Sequence, residues 1–173
     1  VRATHFLPQC ETPRRATRDM FLWGLFLMTL GLFQKIVLAD VMLAGAADTV
    51  FGWSRGPVAT LDAWLGVLAF SGQIFFDFAG YSDMAIGLGL MMGFRLPVNF
   101  NQPYRSVSIT DFWRRWHISL SSWLRDYLYF PLGGSRGTAL KTLRNLFMTM
   151  LLGGLWHGAA WNFVVWGAWH GGL

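Results

Sequence analysis

Two histidines in this chain lie where an imidazole is costly to keep. His157 sits near the middle of LLGGLWHGAAWNFVVWGAWHGG, residues 151–172, an apolar, glycine-studded run of membrane-helix composition, and His117 sits in DFWRRWHISLSSWLRDYLY, residues 111–129. Imidazole titrates between about pH 5 and 8, so its neutral form can take a proton from a hydroxyl as that hydroxyl attacks an electrophile. Hydrocarbon supplies no hydrogen-bond partner, so an ionisable group at membrane depth marks a functional site unless a neighbouring helix satisfies it. Such a structural contact is worth only about 1 kcal/mol. From the 151–172 run alone the catalytic and structural readings balance.

The elements that must position these groups are membrane helices. The 173 residues are 54% hydrophobic and 17% aromatic, and only 13% are charged, against about 25% in soluble domains; mean hydropathy is +0.38. A net charge of +5 and a pI near 10.0 fit nucleic-acid binding, but the arginines fall between apolar runs, where basic residues mark cytoplasmic membrane flanks. Nucleic acid is therefore discounted. The lone Cys10 excludes an internal disulfide framework, and no Cys/His spacing suits zinc, so no metal is expected. The chain opens on Val1 without a signal-peptide pattern and stops at Leu173 inside an aromatic, glycine-rich run. This predicts an internal piece of a longer polytopic protein, residues 1–173 forming part of one membrane domain, with further spans completing the site.

Residues 1–19 hold four arginines with Pro8 and Pro13 and read as an irregular basic cytoplasmic loop. Residues 20–39 have the length of a membrane span, with Gln34 and Lys35 near enough to its far end to snorkel. Residues 40–60, with Asp40, Asp48, Arg55 and Gly/Pro punctuation, read as a short outer connection. The apolar stretch 61–94 exceeds one untilted span and reads either as one long helix or as a span with an extension. Within it Asp77 and Asp83 lie about 120° apart on a helix, which rules out a paired-carboxylate dyad and favours structural polar contacts. Residues 95–144 return to the cytoplasmic side with eight Lys/Arg, and 143–169 forms a third span.

Helix 111–129 is expected to begin at a Ser108 or Thr110 cap and to end near Pro131 and Gly133–Gly134. At about 100° per residue its tryptophans and leucines fill one arc and its arginines, serines and aspartates the other, the pattern of an interfacial or re-entrant helix. His117 projects between Leu124 and Leu128 on the apolar arc. If 143–169 is one regular helix, Gly153, Gly154, Ala160 and Trp161 share the face of His157, whereas Phe163 and Trp166 cover the opposite side. Alternatively the glycines of GGLWHG break that helix, which a membrane tolerates where the freed backbone is buried or lines a cavity. His170, about 140° from His157, fits an interfacial or structural role.

The run NFNQPYRSVSITDFWRRWHISLSSWLRDYLYFPLGGSR at 99–136, followed by LLGGLWHGAAWNFVVWGAWHG at 151–171, resembles the membrane-bound O-acyltransferases. The closer likeness is to the bacterial branch that includes the alginate O-acetyltransferase membrane subunit and the D-alanyl transfer protein of teichoic acid synthesis. HFLPQ at 5–9, GLFQKIVLAD at 31–40 and FFDFAGYSDMAIGLGLMMGF at 75–94 carry the same likeness. It implies an all-α, polytopic membrane enzyme, of which this chain would supply about three spans and the interfacial helix. The implied location is the bacterial cytoplasmic (inner) membrane. The implied reaction moves an acyl group, most simply acetyl, from a cytoplasmic thioester to a hydroxyl outside. The histidine of the WHG motif maps onto His157 as catalytic, and that of FWRRWH onto His117, buried on the cytoplasmic half of a channel.

His157 is then the candidate general base. Donors for the tetrahedral oxyanion would come from Asn162, Trp161 or His117, and Trp113, Arg114, Arg115 and Trp156 join Trp161 and Asn162 as candidate substrate contacts. No tightly bound cofactor is implied. The donor is acetyl-coenzyme A or an acyl carrier protein; the acceptor is first an exopolysaccharide of alginate type, with cellulose-like polymers, peptidoglycan, teichoic acid or a partner protein as alternatives; and the partners are a periplasmic or extracellular acyl-transfer protein and membrane lipid. A transporter or channel segment using intramembrane His and Asp as a proton relay is the competing class, and a purely structural scaffold the third. The basic, tryptophan-rich helix carrying His117 discriminates, because a simple pore has no evident use for it.

Overall fold

The computed structural model describes residues 2–52 and 56–173, and every regular element among them is helical. Arg55, assigned by sequence to the outer connection, lies outside these residues. The chain divides into two compact units, Val1–Asn99 and Phe100–Leu173.

The first unit is built on two long helical runs, Arg18–Phe51 and Thr60–Met91, with mean hydropathies of 1.8 and 1.3, both long and apolar enough to cross a membrane. The first begins as α2 (Arg18–Leu32), where Thr17 Oγ1 accepts from the Met20 amide at 3.2 Å. It passes without interruption through a π-helical segment, Phe33–Leu43, into α3 (Ala44–Phe51). The expected end at 39 and the expected loop from 40 are thus corrected: Asp40 and Asp48 lie on helix, and only the stretch after Phe51 connects. Charge misled the boundary. Lys35 does not snorkel at a helix end but lies midway along the run, bridging Asp40 at 2.9 Å and Asp77 at 2.5 Å. Gln34 Nε2 donates to Asp83 Oδ2 at 3.3 Å. Asp77 and Asp83 therefore make the structural polar contacts expected of them.

The stretch 61–94 resolves as one helix, α4 (Thr60–Met91). It packs antiparallel on α2 through two reciprocal glycine pairs. A Cβ on Gly24 would lie 2.5 Å from the Gly87 carbonyl oxygen and one on Gly31 would lie 2.5 Å from that of Gly80, with equally short distances in return. Small residues of this kind let two apolar helices bring their backbones together where lipid offers no hydrophobic drive to associate. The helix closes at Gly93 (φ 85°), with Phe94 N–H donating to Gly89 O at 2.8 Å and Gly93 N–H to Leu90 O at 3.0 Å, a left-handed C-terminal cap. The basic N-terminal stretch is not wholly irregular: α1 (Ala3–Cys10) forms despite Pro8 inside it. Tertiary contacts override the proline signal, since Gln9 and Phe6 of α1 are held by Arg95 and Phe94.

In the second unit the short helix α5 (Ile109–Arg115) starts at Ser108, whose Oγ accepts from the Asp111 amide at 3.1 Å. The expected continuous helix 111–129 is broken. Trp116 is extended, His117 is left-handed, and α6 (Ile118–Leu124) restarts before a π-helical turn, Arg125–Tyr129. Gly133 and Gly134, at φ 111° and 57°, turn the chain where a stop was expected. The buried Asn145 secures that turn, its Nδ2 donating to Gly134 O at 3.0 Å. The expected single span 143–169 is also corrected. It is a hairpin of α7 (Ala139–His157) and α8 (Trp161–Gly172), the alternative in which the GGLWHG glycines break the helix. The hairpin closes on glycine: a Cβ on Gly167 would meet Met150 O at 2.7 Å, and one on Gly171 would meet Phe147 Cα at 2.8 Å.

Candidate active site in the second unit

His157 is the last residue of α7, and the reversal after it decides its surroundings. A Cβ on Gly158 would lie 2.7 Å from Phe163 Cε2, so the glycine lets the phenyl ring of α8 close against the turn. His157 itself is exposed in this chain, not sunk in mid-helix. Its ring stacks on Phe163 (centroids 6.1 Å apart, 24° between planes) and meets Trp156 and Trp166 edge-on at 5.2 and 5.3 Å. Phe163 and Trp166, expected on the far side of a straight helix, are thus neighbours of the imidazole because α8 folds back. Trp161 no longer shares a helix face with it.

His117 owes its place to the break between α5 and α6. With φ 43° and ψ 55° it occupies a backbone region sparsely populated by non-glycine residues, which clusters at functional sites. The wheel that set it between Leu124 and Leu128 assumed an unbroken helix and does not apply across this kink. Its inward orientation survives, since the side chain is half-buried. Burial, and to a lesser degree the charge of His157, hold its pKa down to about 4. His117 is consequently neutral across the physiological range.

Trp113 connects the two halves of the unit, edge-on to Trp166 at 5.8 Å and to His170 at 5.2 Å, with its Nε1 buried and lacking a hydrogen-bond acceptor among the described residues. His170 packs on Trp166 at 4.5 Å, and its Nδ1 is likewise buried and unmatched among the described residues. By sequence His170 has only an interfacial or structural role and Trp166 a place on the face opposite His157. Only the reversal at 158–160 turns a helical offset of 140° into shared contact with one indole. Two candidates stand elsewhere: Trp161 is 84% exposed and Asn162 beside it is exposed, both in the first turn of α8. Arg114 is exposed. Arg115 is engaged within the fold, its Nε donating to both Asp111 carboxylate oxygens at 2.9 and 3.0 Å and its NH1 to Asn101 O at 3.4 Å. That contact holds the Asp111 carboxyl below the usual carboxylate range. Among the described residues no cluster of His, Cys, Asp or Glu could hold a metal ion.

Long apolar helices paired through glycine define an α-helical protein of membrane type. The chain belongs to the MBOAT, membrane-bound O-acyltransferase family, whose model matches residues 1–173. It is 62% identical over 158 residues to the probable alginate O-acetylase AlgI of Azotobacter vinelandii, covering 91% of this chain and 31% of that protein. It is 51% identical over 149 residues to the peptidoglycan O-acetyltransferase of Helicobacter pylori (86% and 28%). With the teichoic acid D-alanyltransferase of Bacillus subtilis it shares 34% over 163 residues (88% and 40%). The chain spans roughly a third of the length of the curated relatives it matches.

Proposed function

We propose that the protein containing this chain is an O-acyltransferase of the bacterial cytoplasmic membrane. It would pass an acetyl group from a cytoplasmic thioester to a hydroxyl of an extracytoplasmic polysaccharide of alginate type. Supporting the class are the family match over the whole chain and the identity to proteins named as alginate and peptidoglycan acetylases. Alginate-type acceptors take first place because those relatives share about 60% of aligned residues, against 51% for the peptidoglycan enzyme. The observation that carries the mechanism is the placement of the WHG histidine, His157, at the α7–α8 reversal against the rings of Trp156, Phe163 and Trp166.

In this reading His157 removes the acceptor hydroxyl's proton as the oxygen attacks the thioester carbonyl. The tetrahedral intermediate collapses with loss of thiolate, which regains a proton from the imidazolium. Neutral His117 places no second positive charge beside the imidazolium and can donate one N–H to the oxyanion or the donor thioester. Trp156, Phe163 and Trp166 set aromatic surface against the imidazole and limit its orientations. A periplasmic acyl-transfer protein is the expected partner for carrying the group onward. Acetyl-coenzyme A and an acyl carrier protein both supply the required thioester.

The test is acetyl transfer by the full-length protein carrying H157A. Activity should fall by at least about a thousandfold, the range of a lost general base with its associated positioning, at unchanged membrane abundance. Wild-type transfer by H157A removes His157 from the mechanism. The channel alternative predicts instead proton flux without donor, and lacks a supporting observation among the described residues.

A further inference from the structure

A cavity of about 420 Å³ in the first unit is lined by Gln9, Arg14, Arg15, Met20, Gly93 and Arg95, none of them a residue of the candidate active site. It forms where the segment leading into α2 meets the segment leaving α4, and three independent contacts hold those segments together. Gln9 clamps Arg95 on both sides of its backbone, Nε2 donating to Arg95 O at 3.0 Å and Oε1 accepting from Arg95 N–H at 2.9 Å. Phe6 packs on Phe94 at 5.3 Å. Gly93, at φ 85°, lets the α4 exit approach so closely that a Cβ there would lie 3.1 Å from Arg15 C and 3.2 Å from Ala16 N. Arg14 Nε is fixed on Gln9 O at 2.9 Å, leaving its terminal nitrogens available.

Three guanidinium groups are thus gathered about one exposed hollow by contacts between residues 86 apart in sequence. None forms an ion pair with a carboxylate among the described residues, Glu11 and Asp19 included. Like charges brought together this way repel unless an anion joins them, and the planar forks of arginine match phosphate oxygens two at a time. The amino end of α2, whose dipole is positive, opens at the same place, with Met20 of its first turn in the cavity wall. Immediately beyond, Phe21, Leu22 and Trp23 are exposed and apolar, setting the hollow at the level where lipid tails give way to headgroups.

We propose that this cavity is a phosphate-binding site, formed by Arg14, Arg15 and Arg95 and built on the Gln9 clamp. The phosphate belongs either to an anionic phospholipid headgroup or to a soluble phosphate ester arriving from the cytoplasm. Both present a tetrahedral anion with two or more free oxygens. The site does not depend on the acyl-transfer reading.

Purified full-length protein is titrated with phosphatidylglycerol in mixed micelles, with phosphatidylcholine as the zwitterionic control, and separately with inorganic phosphate; affinity is read from the ligand-dependent rise in Tm. Saturable stabilisation by phosphatidylglycerol alone assigns the lipid headgroup, and saturable stabilisation by inorganic phosphate assigns the soluble ester. In either case R15Q/R95Q should bind at least tenfold more weakly. R15K/R95K, which keeps the charge but loses the fork, should lose at least threefold and serves alone if the glutamine variant does not fold. Wild-type protein that binds neither probe, or variants that bind as wild type does, overturn the site. H157A should bind phosphate as wild type does, so failure of the catalytic reading and failure of this one are separable.

Discussion

At the scale of single residues, His117 is held in an unusual state twice over. Its left-handed backbone costs on the order of 1–3 kcal/mol in a non-glycine residue, and its burial suppresses protonation. The first property separates imidazole from backbone experimentally. H117G should keep or slightly raise thermal stability by relieving the φ of 43°, yet lose most acetyl transfer, whereas H117A should lose both. Normal transfer by a folded H117G would make His117 a purely structural residue. The second property sets a pH window. With a folded pKa near 4 against the ordinary 6.5, the unfolded chain binds more protons between those values. The stability His117 contributes is therefore complete above pH 6.5 and is lost as pH falls towards 4. Denaturation midpoints of wild type should decline over that interval, and those of H117G should decline less. Parallel declines would mean that His117 titrates normally in the folded chain.

At the scale of elements, backbone approach through glycine governs both units. Replacing Gly80, Gly87 or Gly167 with leucine places a side chain where a carbonyl oxygen or a facing Cα already lies. Each should destabilise the full-length protein by about 1–3 kcal/mol or more, the usual penalty of overpacking, read as a lower Tm. G45L, where a Cβ would meet nothing within 4 Å, should have little effect and is the control. These contacts also explain what the sequence could and could not disclose. The apolar length of 20–39 and 61–94 announced two membrane helices, and the Ser108 cap and the Gly133–Gly134 stop were readable because each acts locally. The run past Asp40 was not readable, because Lys35 neutralises that carboxylate and Asp77 from another helix shares the ion pair. Nor was the break at Trp116–His117, where neither glycine nor proline signals it. The candidate site was legible as two histidines of interest but not as a cluster. Trp166 and His170 enter it only through the reversal at Gly158, which a periodic wheel cannot represent.

At the scale of the whole molecule, a chain of this kind is oriented by its charge. The two long runs of the first unit are antiparallel, so residues 1–17 and 92–99 emerge on one side and the connection between Phe51 and Thr60 on the other. The first side carries Arg2, Arg14, Arg15 and Arg95, whereas the sequence of the connection holds one basic residue, Arg55. From the retention of basic residues by the cytoplasm we expect the cavity side to be cytoplasmic and the connection outside. Cys10, the single cysteine of this chain and exposed, is a natural reporter of that orientation. In an otherwise cysteine-free full-length protein, a membrane-impermeant maleimide should label Cys10 in inverted vesicles but not in intact spheroplasts. V58C in a C10S background should show the reverse. Labelling of Cys10 from outside would invert the unit. It would place the three-arginine cavity on the acceptor side and deny it the cytoplasmic leaflet, where anionic headgroups and soluble phosphate esters are met.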